Sequence, residues 1–437
     1  MSLFRPTVFT KSENCPSEVP PTAGRRGTLS SEPPLSATLH EAVMDSVSSV
    51  RDSLPEQYRA HFETLRQEII DFTKAHEISR ESLGKPDLLR EATCKLSIPD
   101  LERLALLLER FEYLLKNGEP KEEKLPEYFQ EAERLYNLRE QYTSQVSLLE
   151  QVGILKEGVI LGIDGKIYPI PTLEQIAMRL FERRETLETK HDQGFTKLLL
   201  VPFGMSLDSL RETFKQFLID YKKNNPSFYL YTHEPLWVWS GYQGADVGDS
   251  PNLVYYPQSF TTKGHGGKTK AQILKEQEDN QDSFPGWTVH LLQPSNPDEQ
   301  NIETPKGFAS IPREGRGIPQ GDLVPRPSLE AGQSPIEYLS FLQSSKKDEN
   351  SPYHGETGLT PEDWIIAFMI HLIETGKPLD NVANGMESIS YLIGAFFLSP
   401  IHVPRAYWFH NDHQTLLGGN DPRSQDGNNG MRSSVMI

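Results

Sequence analysis

At 437 residues the chain is longer than one compact core usually fills, so two or three domains are expected. Its composition, 36% hydrophobic and 24% charged, is that of a globular protein with polar additions. A formal net charge of -17 repels phosphate backbones, and the basic stretches Lys263 to Lys270 and Lys222-Lys223 are short and interrupted, which argues against nucleic acid as a partner.

Cys15 and Cys94 are the two cysteines of the sequence, too few for a disulfide framework or a Cys-based zinc site. Met1 to Thr10 lacks the positive start and apolar stretch of a secretory signal. The most apolar runs, Trp364 to Ile373 and Ile389 to Phe397, are too short to cross a bilayer core of ~30 Å. These features predict a cytoplasmic protein without a membrane span, surface display by an unrecognised route being the other reading.

Residues 1–35 are rich in Pro, Ser and Thr and predict a disordered lead. A helical region follows over 36–152, broken near Gly84-Lys85-Pro86 and again around Gly118 to Pro126. In its second helix Ser97 is placed to cap, Pro99 occupies the first turn, and Leu101, Leu104, Leu108, Phe111 and Leu115 share a face. In the third, Tyr128, Ala132, Leu135, Tyr142, Val146 and Leu149 recur at helical spacing. These stripes predict helix packing, and a homo-oligomer through a coiled coil is the alternative.

At Gly158 the period changes. Val159 to Ile163 and Lys166 to Ile170 read as strands joined by an Asp164-Gly165 turn. Thr172 and Gln175 form a capping box. A buried strand over Leu198 to Phe203 and an amphipathic helix over Ser206 to Tyr221 follow. This alternation predicts an α/β middle domain over 153–292. The aromatic-rich stretch 227–257 suits core-filling strands, or a stacking surface for bases or sugars. Residues 293–333, dominated by Pro, Gly and charge, predict a linker or a draped peptide. Beyond it Thr360 caps, Pro361 opens and Asp363 closes a helix whose buried stripe is Trp364, Ile365, Phe368, Leu372 and Ile373.

Catalytic motifs are scarce. The glycine-rich loop Lys263 to Thr269 precedes a helix over Ala271 to Glu278, as a phosphate-binding loop would. A Walker A spacing requires Gly at position 262, where Thr stands. A nucleotide-dependent enzyme or regulator centred on this loop is the alternative functional reading. His410-Asn411-Asp412-His413 has metal-ligand residue types but lacks the helix that would converge two His three residues apart. No G-x-S-x-G nucleophile motif occurs. The expectation is a non-enzyme with no cofactor and no metal.

Residues 405–431 mix Arg, Tyr, Phe, His, Asn, Asp and Gln with Gly, as long recognition loops do, and Arg432 to Ile437 returns to a strand pattern with Val435 and Ile437 facing one way. Val403-Pro404-Arg405-Ala406-Tyr407-Trp408, Asn420-Asp421-Pro422-Arg423 and Asn428-Asn429-Gly430-Met431-Arg432-Ser433-Ser434-Val435 resemble the variable end of target proteins of diversity-generating retroelements. More broadly, Gly162 to Pro169, Val201-Pro202-Phe203, Leu236 to Trp239, His265 to Lys270 and Leu359 to Trp364 resemble an uncharacterised protein family of candidate-phyla bacteria, chiefly Parcubacteria.

The resemblance implies a C-type-lectin-like domain over 334–437, related to formylglycine-generating enzymes, and an α+β protein as a whole. It implies a diversifiable ligand-binding face at Arg405, Tyr407, Phe409, Asn411, Asp412, His413, Leu417, Gly419, Asn420, Ser424, Asn428 and Asn429, set in a framework of Trp408, Asp421, Gly430 and Arg432. The ligand would be a protein or a carbohydrate. Both cysteines precede residue 95, so the copper-holding cysteine pair of formylglycine-generating enzymes is missing from the C-terminal segment. The closing Ser433 to Ile437 also lacks a second basic residue expected near the end.

Overall fold

In the computed structural model, residues 51–52, 54–76, 78–79, 82, 86–93, 96, 98–120, 126–280, 282–295, 304–313, 326–382 and 388–437 are described. They form two units, Met1–Lys124 and Leu125–Ile437. The expected disordered lead and the Ser97 cap lie outside the described residues.

The first unit contains helices α1 (Glu56–Ala75), α2 (Pro86–Thr93) and α3 (Ile98–Asn117). Helix α1 buries Phe62, Leu65, Ile69 and Phe72, and α3 buries Leu104, Leu107, Leu108, Phe111 and Leu114. Phe62 and Phe111 meet at 5.1 Å between ring centres. Leu101, expected on this face, is 44% exposed, because the apolar stripe is centred on 104, 107, 111 and 114 and leaves the first turn outside it.

The second unit opens with α4 (Glu127–Tyr136) and α5 (Leu138–Gln151), where the sequence pattern predicts one helix. Asn137 separates them in the left-handed region, at φ 46°, a conformation Asn tolerates better than most residues. Next come strands β1 (Val159–Leu161) and β2 (Ile167–Pro169), helices α6 (Leu173–Glu182) and α7 (Arg184–Asp192), strand β3 (Lys197–Val201) and helix α8 (Leu207–Asn224). The β1–β2 pair is an antiparallel hairpin whose loop runs over 162–166, with Gly165 at φ 76°. The Thr172–Gln175 capping box opens α6 as expected.

Strands β4 (Leu236–Val238) and β5 (Leu253–Tyr255), helix α9 (Lys270–Asp279) and strand β6 (Thr288–Leu292) complete the middle segment. The C-terminal segment carries α10 (Pro335–Lys347), β7 (Glu356–Gly358), α11 (Pro361–Thr375), β8 (Asn381–Val382), β9 (Ile389–Tyr391), β10 (Ala395–Phe397), β11 (Val403–Phe409), β12 (Gln414–Asn420), β13 (Asn429–Met431) and β14 (Ser433–Met436).

The strands combine into a four-stranded sheet ordered β3-β6-β14-β7 and a six-stranded sheet ordered β13-β9-β11-β12-β4, with β8 added on β11. Strands β5 and β10 pair separately. The class is α+β. Within it the expected α/β middle domain is corrected, since β3 and β6 pair antiparallel. The boundary expected at 293–333 does not divide the core either. C-terminal β14 lies between β6 and β7, and middle-segment β4 pairs with β12. Part of the expected linker instead packs into the core, with Phe308, Ile311 and Arg326 buried.

Helix α11 explains this merger. Its capping box of Thr360 and Asp363 is formed, and every residue from Pro361 to Leu372 is buried. It touches α8, β3 and β11, so from Trp364 to Ile370 it is apolar all round where a surface helix would be amphipathic. Ile373, expected in its stripe, is 49% exposed, while Glu374 beside it still reaches Lys197 of β3 at 2.6 Å. Buried charge also ties the segments together. Lys270 Nζ lies 2.5 Å from Asp246 and 2.8 Å from Glu362, and the Tyr255 hydroxyl donates to Glu362 at 2.6 Å. Fully buried cations persist when paired in this way.

Candidate ligand-binding face

The tail expected to be a long recognition loop is a regular hairpin. Strands β11 and β12 pair antiparallel over seven positions, from Val403 opposite Asn420 to Phe409 opposite Gln414. Strand alternation then sorts the side chains. Ala406 and Trp408 are buried, while Arg405, Tyr407 and Phe409 on the other side are partly open. Tyr407 stands opposite Leu416, and Leu416 stands opposite Trp237 of the parallel strand β4. The row Tyr407, Leu416 and Trp237 therefore crosses three strands on one face, and Trp237 is 39% exposed.

Arg405 lies flat on this face. Its guanidinium sits 5.9 Å from the centre of the Tyr407 ring. A Cβ at Gly418, the residue opposite it, would come within 3.3 Å of Arg405 Nε, so glycine there leaves the space the arginine occupies. Burial raises the Tyr407 hydroxyl above its ordinary pKa, against the opposing pull of Arg405, which keeps it a neutral donor and acceptor.

At the hairpin tip Asn411 and Asp412 are exposed. His413 takes φ 53°, stacks on Tyr229 at 5.4 Å and accepts the Tyr231 N–H on its carbonyl at 2.9 Å. Tyr229 is 71% and Tyr231 47% exposed. The aromatic stretch 227–257 is thus divided: Tyr242 and Tyr255 are core, whereas Tyr229, Tyr231 and Trp237 extend the open face. His410 and His413 face each other at 5.7 Å across the turn.

Several expected contact positions are not on the face. Leu417 is 0% exposed, because it alternates inward from Leu416. Asn429 is buried and donates to the Tyr391 hydroxyl at 2.8 Å. Asn420 donates to the same oxygen at 3.0 Å, and that hydroxyl donates to the Ser424 carbonyl at 3.3 Å. Asn420 and Ser424 are thus half-buried members of an internal polar node. A Cβ at Gly419 would press to 3.0 Å against both Trp239 and His402, two rings stacked at 5.1 Å. Asn428 is exposed, at the far end of the sheet beside β13.

The framework residues hold the sheet from behind. Trp408 is buried against Phe228 at 5.3 Å, and its backbone N–H donates to the Asp380 carbonyl at 3.0 Å. Arg432 Nη2 lies 2.6 Å from Asp380 Oδ1, and the Trp364 indole donates to Asp380 Oδ2 at 2.8 Å. Burial raises the Asp380 pKa, with Arg432 and Trp364 pulling it down. Gly430 is required by contact, since a Cβ there would fall 2.5 Å from Ile311. Asp421 is exposed but holds its own turn, accepting the Arg423 N–H at 2.8 Å. Asp380 carries no signal in the sequence, whereas the alternation of Leu236 to Trp239 marks Trp237 as a strand residue.

The glycine-rich loop is closed on itself. The N–H of Gly267 donates to His265 Nδ1, that of Lys268 to the Tyr255 carbonyl, and that of Thr269 to Gln272 Oε1. Lys268 Nζ pairs with Glu276 at 2.6 Å. The N–H groups at the helix end of the loop, which would cradle a phosphate, thus already have partners. No helix among the described residues is long and apolar enough to cross a membrane. Comparison with protein-family models, with curated proteins and with solved structures finds no match to this chain.

Proposed function

We propose that the chain is a non-enzymatic ligand-binding protein that presents the outer face of β11, β12 and β4 on a C-type-lectin-like scaffold. Its open positions are diversified in the manner of retroelement variable proteins. One observation carries this reading: Arg405, Tyr407 and Phe409 alternate outward along a strand whose inward residues, Ala406 and Trp408, are fixed in the core. Side chains so placed can change identity without disturbing the fold. Arg, Tyr and Trp are also the residues that concentrate binding energy at protein interfaces, and aromatic rings accept the apolar face of a sugar.

A paired screen tests the reading. Wild-type protein and a Trp237→Ala/Tyr407→Ala variant would be applied to a glycan array and to surface proteins of cells from the same habitat. Ligands bound by the wild type and lost by the variant support the face. Ligands retained by the variant overturn it.

A further inference from the structure

A second concave site is built by helices instead of strands. Between α4, α6 and α7 the chain encloses a cleft of about 400 Å³, a volume in the range of small-molecule pockets. Its floor is apolar, made by Leu135 and Leu180 with the ring of Phe181 beside them. Its walls carry four carboxylates, Glu131, Glu185, Glu188 and Asp192.

The acidic walls alone would be an ordinary solvated surface. What distinguishes the cleft is Tyr136. It is 3% exposed, lines the cleft, and its hydroxyl bonds to none of the described residues. Burial raises its pKa, and the negative charges of Glu131 and Asp192 raise it further. The hydroxyl therefore lies in the field of two carboxylates, with an oxygen lone pair free. The ring is buried while the hydroxyl is left to the cleft, and the partner that suits it there is a donor that also neutralises the charges around it.

Positive charge already present does not fill that role. The Arg184 guanidinium lies over the Phe181 ring at 4.3 Å and donates to the Phe181 carbonyl at 3.0 Å. Arg134 is exposed at the rim. His191 meets the Leu135 carbonyl through Nε2 at 3.1 Å, packs edge-on against Tyr136 and holds Nδ1 3.5 Å from one oxygen of Asp192, which leaves the other Asp192 oxygen and Glu131 to a ligand. With two arginines against four carboxylates, the lining retains negative charge.

We propose that this cleft binds a protonated primary amine on a short apolar chain. The ammonium would donate to Tyr136 and lie between Glu131 and Asp192, with the carbon chain against Leu135 and Leu180. A free alkylamine and a lysine side chain share this chemistry.

Calorimetric titration of the full chain with pentylammonium, with N-acetyl-lysine methylamide and with pentanol tests the proposal. Binding of either amine, with pentanol bound about tenfold more weakly or not at all, is expected from the charge of the site. The lysine derivative binding as well as pentylammonium identifies a peptide side chain as the source, and preference for pentylammonium identifies a free amine. Glu131→Gln and Asp192→Asn should each weaken the amine about fivefold, and Tyr136→Phe should weaken it less. Because Glu131 and Asp192 are only half-buried, their variants should fold; unchanged thermal melting of each checks this. Absence of amine binding, equal binding of pentanol, or amine binding indifferent to both carboxylate variants would overturn the proposal.

Discussion

Trp237 stands opposite Leu416 across the parallel β4–β12 pair, so a residue of the middle segment widens the face that the C-terminal hairpin presents. The proposed binding face and the fold are therefore built from the same sheet. This has consequences for which residues carry stability and which are free to change.

The open positions should be nearly neutral for folding. Tyr407→Ala and Asn411→Ala are expected to shift stability by less than about 1 kcal/mol. Leu417→Ala, buried one residue from Leu416, should cost about 2–5 kcal/mol, and Gly419→Asn should destabilise by displacing the Trp239–His402 stack. Urea melts of the four variants check the ordering, and a Tyr407→Ala cost equal to that of Leu417→Ala would contradict it.

Strand β3 is the edge of its sheet, and α5 finishes that edge with side-chain amides. Gln145 donates to the Leu198 carbonyl at 2.7 Å and accepts the Leu200 N–H at 2.9 Å. Gln141 does the same one turn earlier, with Thr196 and Leu198. Gln145→Ala leaves two buried backbone groups bare and should cost about 2–4 kcal/mol. Gln151→Ala, on the exposed end of the helix, should cost almost nothing; equal midpoints for the two variants would refute the role.

Arg432→Met removes the partner of a fully buried carboxylate. The loss should be about 3–5 kcal/mol, and Asp380→Asn in the same chain should recover some of it, because the Trp364 indole can still donate to an amide oxygen. A double variant no more stable than Arg432→Met would show that the pair is not what holds β13 and β14 against residue 380.

His371 makes stability depend on pH. Burial, helped by the charges of Arg432, Lys197 and Lys377, lowers its pKa from 6.5 to about 3, and its Nδ1 accepts the Phe308 N–H at 2.9 Å. The unfolded chain binds the proton first, so this contribution is complete above about pH 6.5 and falls away as the pH drops toward 3. The full loss is roughly 5 kcal/mol. Denaturation midpoints of wild type and His371→Asn across that range should converge at low pH; parallel curves would rule out His371 as the source.

The sequence was most informative where a local signal decides structure. Capping boxes at Thr172 and Thr360, the glycine at 165 and the alternation of Val435 and Ile437 are all realised, because each depends on neighbours in the chain. The readings that changed depend on distant partners. The 405–431 composition suits a loop, yet Trp408 and Leu417 alternate into a core supplied by α11 and Phe228, which makes the segment a hairpin. Likewise the polar run around Asn420, Ser424 and Asn429 looks solvent-facing until Tyr391 arrives from another strand. Linker-like residues 304–313 pack because His371 accepts the Phe308 N–H and Arg432 donates to the Ala309 carbonyl.

The open face, and not the tail as a whole, is proposed as the region free to vary. Sequencing the 3′ end of the gene across a natural population, together with the adjoining DNA, measures this directly. Codon changes should concentrate at Arg405, Tyr407, Phe409, Asn411, Asp412 and His413 and spare Leu417, Gly419 and Asn429, with a near-copy of the segment and a reverse transcriptase nearby. An unvaried tail without such a template, or variation falling equally on the buried positions, would contradict it.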